Sequence, residues 1–177
     1  MRKVQRQNVQ LEALSRTDAL TGVASRGHWE ALAGALLGAA APGRPASLLI
    51  FDVDAFKSIN DEHGHVRGDD VLRAIGAVLL AHGVSGGIAG RLGGDEFVLA
   101  VPVDAAAAEA LAARLHEQVR ALRFPAAHAL RCSVTIGVAA APAGEGLRGW
   151  LEAADAALYR GKGRAQRLAP AVSTSAA

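Results

Sequence analysis

Apolar positions along the chain repeat in two ways. Ser47–Val53 (SLLIFDV) is a continuous apolar run of strand length, as a strand buried on both faces would require. Two further runs, IAGRL from Ile88 and FVLAVPV from Phe97, flank Gly93-Gly94-Asp95-Glu96, the pattern of a β-hairpin. Arg131–Ala139 (RCSVTIGVA) holds β-branched Val134, Thr135 and Ile136 and reads as another strand. Helical spacing appears elsewhere. Trp29, Leu32, Ala33, Leu36 and Leu37 share one face of a segment over 25–40, with Ser25 as its cap. Val71, Leu72, Ile75, Val78 and Leu79 mark a helix over 69–81. Leu111, Leu115, Val119 and Leu122 mark a third, capped by Asp104, and Trp150–Tyr159 marks the last. The stretch from Ile59 to Arg67 is polar and carries a glycine, and is expected to be a loop. Arg2–Thr17 is rich in helix formers with a thin seam at Val4, Leu11 and Leu14, the mark of a connecting helix or of one packed back on the domain. A hairpin within this order predicts an α+β fold with a central mixed or antiparallel β-sheet surrounded by helices.

Composition narrows the function classes. The 177 residues suit one domain, and 51% hydrophobic with 4% aromatic residues implies a core of Ala, Leu, Val and Ile. The most apolar segment, Ala31–Ala41, is interrupted by glycines and closed by Pro42, so no membrane span is expected. The N-terminus lacks the apolar region of a secretory signal, so the expected location is the cytoplasm. Nineteen basic and 17 acidic residues give a net charge of +2, and without aromatic platforms nucleic acid is not an expected partner. A small phosphate-bearing molecule near the basic cluster Arg160, Lys162, Arg164 and Arg167 fits better. The single cysteine, Cys132, in a strand-like context, reads as a small buried hydrophobe.

Acidic residues carry the candidate chemistry. Asp52 and Asp54 close the first strand and are expected to face different ways, so that one of them serves a given site. Asp95 and Glu96 stand at the hairpin turn. If strand end and hairpin tip are neighbours, Asp52 and Asp95 converge into an oxygen-ligand cluster suited to magnesium, whose shell phosphates and water complete. The paired glycines would let backbone approach a triphosphate closely. The same Asp-x-Asp after an apolar strand also suits a magnesium-dependent phosphohydrolase with Asp52 as nucleophile. His63, His65 and Asp61 suggest zinc only weakly, since alternating loop residues rarely complete a tetrahedral site.

Taken together, these segments resemble the GGDEF diguanylate cyclase family, whose members join two GTP molecules into cyclic di-GMP. Gly93-Gly94-Asp95-Glu96-Phe97 is similar to the family signature, and Asp18-Ala19-Leu20-Thr21-Gly22 to its opening motif. Phe51–Lys57 resembles its first strand and phosphate loop, Asn60–His65 with Gly68-Asp69 its base-recognition segment, and Ala154–Tyr159 its final helix. The resemblance implies a fold related to the palm of class III nucleotide cyclases and polymerases, of ferredoxin-like type. It implies a connecting helix over 1–17, a catalytic domain over 18–168 and a loose tail over 169–177. Asp52, the Val53 carbonyl, Asp95 and Glu96 would bind two magnesium (or manganese) ions per half-site. Asp95, or a metal-bound hydroxide beside it, would accept the 3′-hydroxyl proton, with Glu96 assisting. Asn60, Asp69 and Leu72 would bind guanine. Backbone amides from Asp54 to Phe56, including Ala55, would hold phosphates with Lys57, Lys162 and Arg164, and Asp54 would be structural. His65 would stabilise its loop. The implied partners are GTP, the product cyclic di-GMP at the active half-site, a second copy of the chain for catalysis, and an upstream sensory or regulatory domain.

The chain departs from the family pattern in three places. Many members carry an Arg-x-x-Asp inhibitory site where this chain has Val84 and Gly87, so no such site is expected. Lys162 is usually followed four residues later by an arginine, and here Gln166 stands there, leaving Arg164 or Arg167 for the role. Ala55 in the phosphate loop is expected to cost little if backbone amides make the contact. A non-catalytic module that binds GTP or cyclic di-GMP is the competing reading.

Overall fold

The computed structural model describes residues 16–168, and side chains as far as Gly163. The expected connecting helix over 1–17 and the tail lie almost wholly outside that range. Nine elements follow in order: α1 (Arg26–Ala39), β1 (Ser47–Val53), α2 (Phe56–His63), α3 (His65–His82), β2 (Ile88–Gly93), β3 (Glu96–Val101), α4 (Ala105–Arg120), β4 (Val134–Ala140) and α5 (Leu147–Leu168).

The four strands form one sheet in the order β2-β3-β1-β4, with every neighbouring pair antiparallel, so of the two expected sheet types the antiparallel one is present. β1 and β3 are the two interior strands, and each is apolar on both sides. Leu49, Phe51 and Val53 face a core shared with α3 and α4. Leu48 and Ile50 face a second core under α1 and α5. Each face needs cover, and the helices supply it. In the second core Trp29 and Trp150 are wholly buried, and their indole N–H groups donate to the carbonyls of Ile88 and Ala139 at 2.9 and 3.0 Å. Neither leaves a polar atom unpaired. Helix α5 lies directly on β4 because Gly137 has no side chain: a Cβ there would strike the backbone of Ala154 and Leu158.

Several boundaries differ from the sequence reading. The polar stretch expected to be a loop is helical: α2 and the first turn of α3 fill it, broken only at Gly64, whose φ of 85° suits glycine. Its hydrophobic signal is weak because Ile59 is the only buried side chain of α2. Helix α5 is longer than its apolar stripe, and β4 begins at Val134 rather than Arg131. The cap at Asp104 is as expected, its carboxylate accepting from the Ala107 amide at 2.8 Å.

Candidate functional site

The site grows from the carboxyl end of β1. Register places Asp52 directly across from Glu96 of β3 on one side and Thr135 of β4 on the other. The Val53 amide donates to the Asp95 carbonyl at 3.3 Å, which ties the strand end to the hairpin turn. In that turn Gly93 and Gly94 have φ of 146° and 52°, so the tight reversal that presents Asp95 uses backbone conformations other residues rarely adopt. Helix α5 supplies the opposing charge: Lys162 Nζ lies 2.8 Å from Asp52 Oδ1. Lys162 therefore meets a candidate metal ligand directly, a pairing that the phosphate-binding role alone does not anticipate.

The electrostatics at Glu96 identify a surplus of negative charge. Partial burial raises its carboxyl above the ordinary range, and the nearby charges of Asp52, Asp95 and Asp155 raise it further, while Lys162 acts the other way. Asp155, quoted in the sequence only as part of the final-helix motif, joins the cluster from α5, and its acidic neighbours there lie more than fifty residues away in sequence. Three or more carboxylates sharing one cation would favour a further hard cation with oxygen ligands. Among the described residues no three His, Cys, Asp or Glu side chains close a metal cage by themselves. The donor set thus fits a magnesium-type ion whose shell is completed by carbonyl, phosphate and water oxygens. No zinc cluster forms at His63 and His65; His63 has only a 3.8 Å approach to Glu62.

Asp54 corrects the sequence reading. Residues two apart in a strand share a face, and Thr135, the cross-strand neighbour of Asp52, donates its hydroxyl to Asp54 at 2.6 Å. Both aspartates thus lie on one side of the sheet and differ in partners. Asp54 also accepts from Ser133 Oγ at 2.5 Å, and its own amide donates to the Ser133 carbonyl at 3.0 Å. That amide is consequently not free for phosphate. The next residue, Ala55, has φ 51° and ψ 33°, the left-handed region. A Cβ there costs about 1–2 kcal/mol, so alanine at this position is not neutral as expected from backbone contacts alone. The first amides of α2, including those of Phe56 and Lys57, precede its first helical hydrogen bond, from the Ile59 amide to the Ala55 carbonyl at 3.1 Å.

Asn60 of α2 packs against α3, where a Cβ on buried Gly68 would land on its Oδ1 and lie 3.3 Å from the Phe56 ring. Asp69 is half-buried one residue on, and Leu72 is in the core below at 2% exposure. The side chain of Arg164 lies outside the described residues. Cys132 is buried with its thiol pushed up to about 11 by burial, in keeping with a packing role.

One organising residue escaped the sequence reading. Arg91 donates through Nε and Nη2 to the Gly94 carbonyl at 3.1 and 2.6 Å, and through Nη1 to Asp18 at 3.2 Å. Asp18 in turn accepts from the Thr21 hydroxyl and amide at 2.6 and 2.9 Å. Burial opposes the charge on Asp18, but Thr21 and Arg91 outweigh it and hold the carboxyl below its usual range. The opening motif is thereby clamped to the glycine turn. An arginine two residues before a turn has no local signal that separates it from an ordinary exposed strand residue.

A family model described as "Diguanylate cyclase, GGDEF domain" matches residues 15–167. The chain belongs to the GGDEF family. It is 38% identical over 157 residues to the Escherichia coli K12 protein named "Probable diguanylate cyclase DgcC", covering 86% of this chain and 42% of that protein. The chain therefore spans less than half of that relative. A crystal structure of a sensory box/GGDEF family protein from Caulobacter crescentus CB15 is 33% identical, with a TM-score of 0.78 over 85% of this chain and 99% of that one. The coiled coil and GGDEF domain of Caulobacter crescentus DgcB, solved in complex with c-di-GMP, is 26% identical with a TM-score of 0.79, covering 92% and 88%. In this GGDEF domain the signature pentapeptide is the hairpin turn itself, next to the Asp52 end of β1.

Proposed function

We propose that this GGDEF domain is a diguanylate cyclase, condensing two GTP into cyclic di-GMP with release of two pyrophosphates. The observation that carries the reading is the acidic cluster of Asp52, Asp95 and Glu96, short of positive charge and paired with Lys162. Relatives named for this activity support it.

Asp52, the Val53 carbonyl, Asp95 and Glu96 would hold two magnesium or manganese ions. Bound there, the ions supply charge neutralisation for the triphosphate. The chain's own groups do the rest. Amides of Ala55, Phe56 and Lys57, with the Lys57 and Lys162 ammonium groups, bind the β- and γ-phosphates; Arg164 is the remaining candidate cation. Asp69 accepts from guanine N1 and N2 hydrogens, and the Asn60 amide serves the O6 and N3 side. Adenine would leave Asp69 unpaired, which is how a polar pocket rejects the wrong base. The Asp95 carboxylate accepts the proton of the attacking 3′-hydroxyl. One domain holds one GTP, so two domains must face each other, and catalysis is a property of a homodimer. An upstream domain would set that pairing by raising effective concentration. With Val84 and Gly87 at the usual inhibitory positions, product would bind only at the guanine pocket of the active half-site.

The test is product identity. Purified chain with GTP and magnesium is expected to yield cyclic di-GMP on chromatography and none with ATP, and Asp95→Ala is expected to lower the rate at least a hundredfold. A chain that binds GTP without turnover, even when forced to dimerise, would instead be a signalling module.

A further inference from the structure

Resting on that functional reading, we infer that Asp54, Ser133 and Thr135 form a latch that holds the phosphate loop in its binding shape, making Asp54 a positioning residue for the triphosphate. Ala55 stands at φ 51°, a conformation its Cβ resists, so some other contact must impose it. Packing from below cannot be the whole cause, because grooves of about 660 and 360 Å³ each include Asp54 in their walls, the first also Ala55 and Ser58, the second Thr135 and His116. Charge-assisted hydrogen bonds are present instead. Both Asp54 carboxylate oxygens accept a hydroxyl, Oδ2 from Ser133 at 2.5 Å and Oδ1 from Thr135 at 2.6 Å, while the Asp54 amide reaches the Ser133 carbonyl at 3.0 Å. Three bonds, two to Ser133 just before β4 and one to Thr135 within it, fix the residue immediately before the left-handed turn.

The consequence concerns one part of the substrate. The amides following Asp54 open α2, whereas Asn60 sits a full turn on and packs on Gly68 of α3 rather than on β4. Loosening the latch should misdirect the phosphate-binding amides and spare guanine recognition. A purely structural residue would weaken both together.

Binding of GTP and of guanosine, each with magnesium, is measured by calorimetry on the wild-type chain and on Asp54→Ala, Asp54→Asn and the Ser133→Ala/Thr135→Val double variant. The latch predicts at least a tenfold loss of GTP affinity in Asp54→Ala and in the double variant, with guanosine affinity unchanged within twofold. Combining the two should add nothing, since each removes the same contacts. Adding Ala55→Gly to Asp54→Ala should recover part of the GTP affinity, since glycine adopts the turn unaided. Equal losses for GTP and guanosine, or wild-type GTP affinity in folded variants, would overturn the latch. If Asp54→Ala does not fold, Asp54→Asn and Thr135→Val carry the comparison. Failure of the wild-type chain to prefer GTP over ATP would overturn the functional reading instead, and the latch with it.

Discussion

Glu96 and Asp18 are opposite cases of one electrostatic rule. Glu96 is raised above the ordinary 4.5, so its charge at neutral pH opposes folding, and protonation as pH falls relieves it. Glu96→Gln should therefore raise the melting temperature at pH 7 by about 1–2 °C, the gain fading as pH falls through the raised value and gone below pH 4.5. Scanning calorimetry at both pH values checks this. Asp18 is lowered below 3.8, so its contribution is complete above that value and is lost as pH falls through the lowered one. Arg91→Ala removes a partner from both Asp18 and Gly94 and should cost about 1–2 kcal/mol at pH 7, less near pH 3, by urea titration. The acidic residues of the signature were legible because their motif is contiguous. Arg91 and Asp155 were not, since each acquires meaning only from a partner brought close by the sheet or by α5.

Elements were legible in proportion to how much apolar surface they bury. β1, the hairpin and α4 announce themselves through continuous or periodic apolar residues. Helix α2 does not, because it buries only Ile59 and exposes a polar face that composition alone assigns to a loop. Yet α2 and α3 together carry the proposed base-binding residues, and their contact at Gly68 gives a sharp prediction. In an open helix, glycine to alanine gains about 1 kcal/mol. Here the added Cβ meets Asn60 Oδ1, so Gly68→Ala should displace the amide and weaken GTP binding about tenfold or more, with little loss of melting temperature. Calorimetric titration beside a thermal scan separates the two effects.

Over the whole molecule, the α+β class was readable from the order of elements, and the strand order β2-β3-β1-β4 was not, because local sequence does not specify which edges pair. That order matters: it sets the hairpin tip beside the end of β1 and brings four acidic residues and Lys162 to one corner. In the proposed reaction each domain offers one nucleotide site, and two are needed. The direct test is the initial rate of cyclic di-GMP formation from GTP and magnesium across a hundredfold range of chain concentration. The account predicts a rate that rises as the square of concentration while the chain is mostly monomeric, becomes linear once paired, and disappears in Asp95→Ala. A rate strictly proportional to concentration throughout, from a chain that sedimentation shows to be monomeric over that range, would contradict the facing-domain reaction. Absence of cyclic di-GMP at every concentration, and after fusion to a dimerising coiled coil, would contradict the cyclase itself.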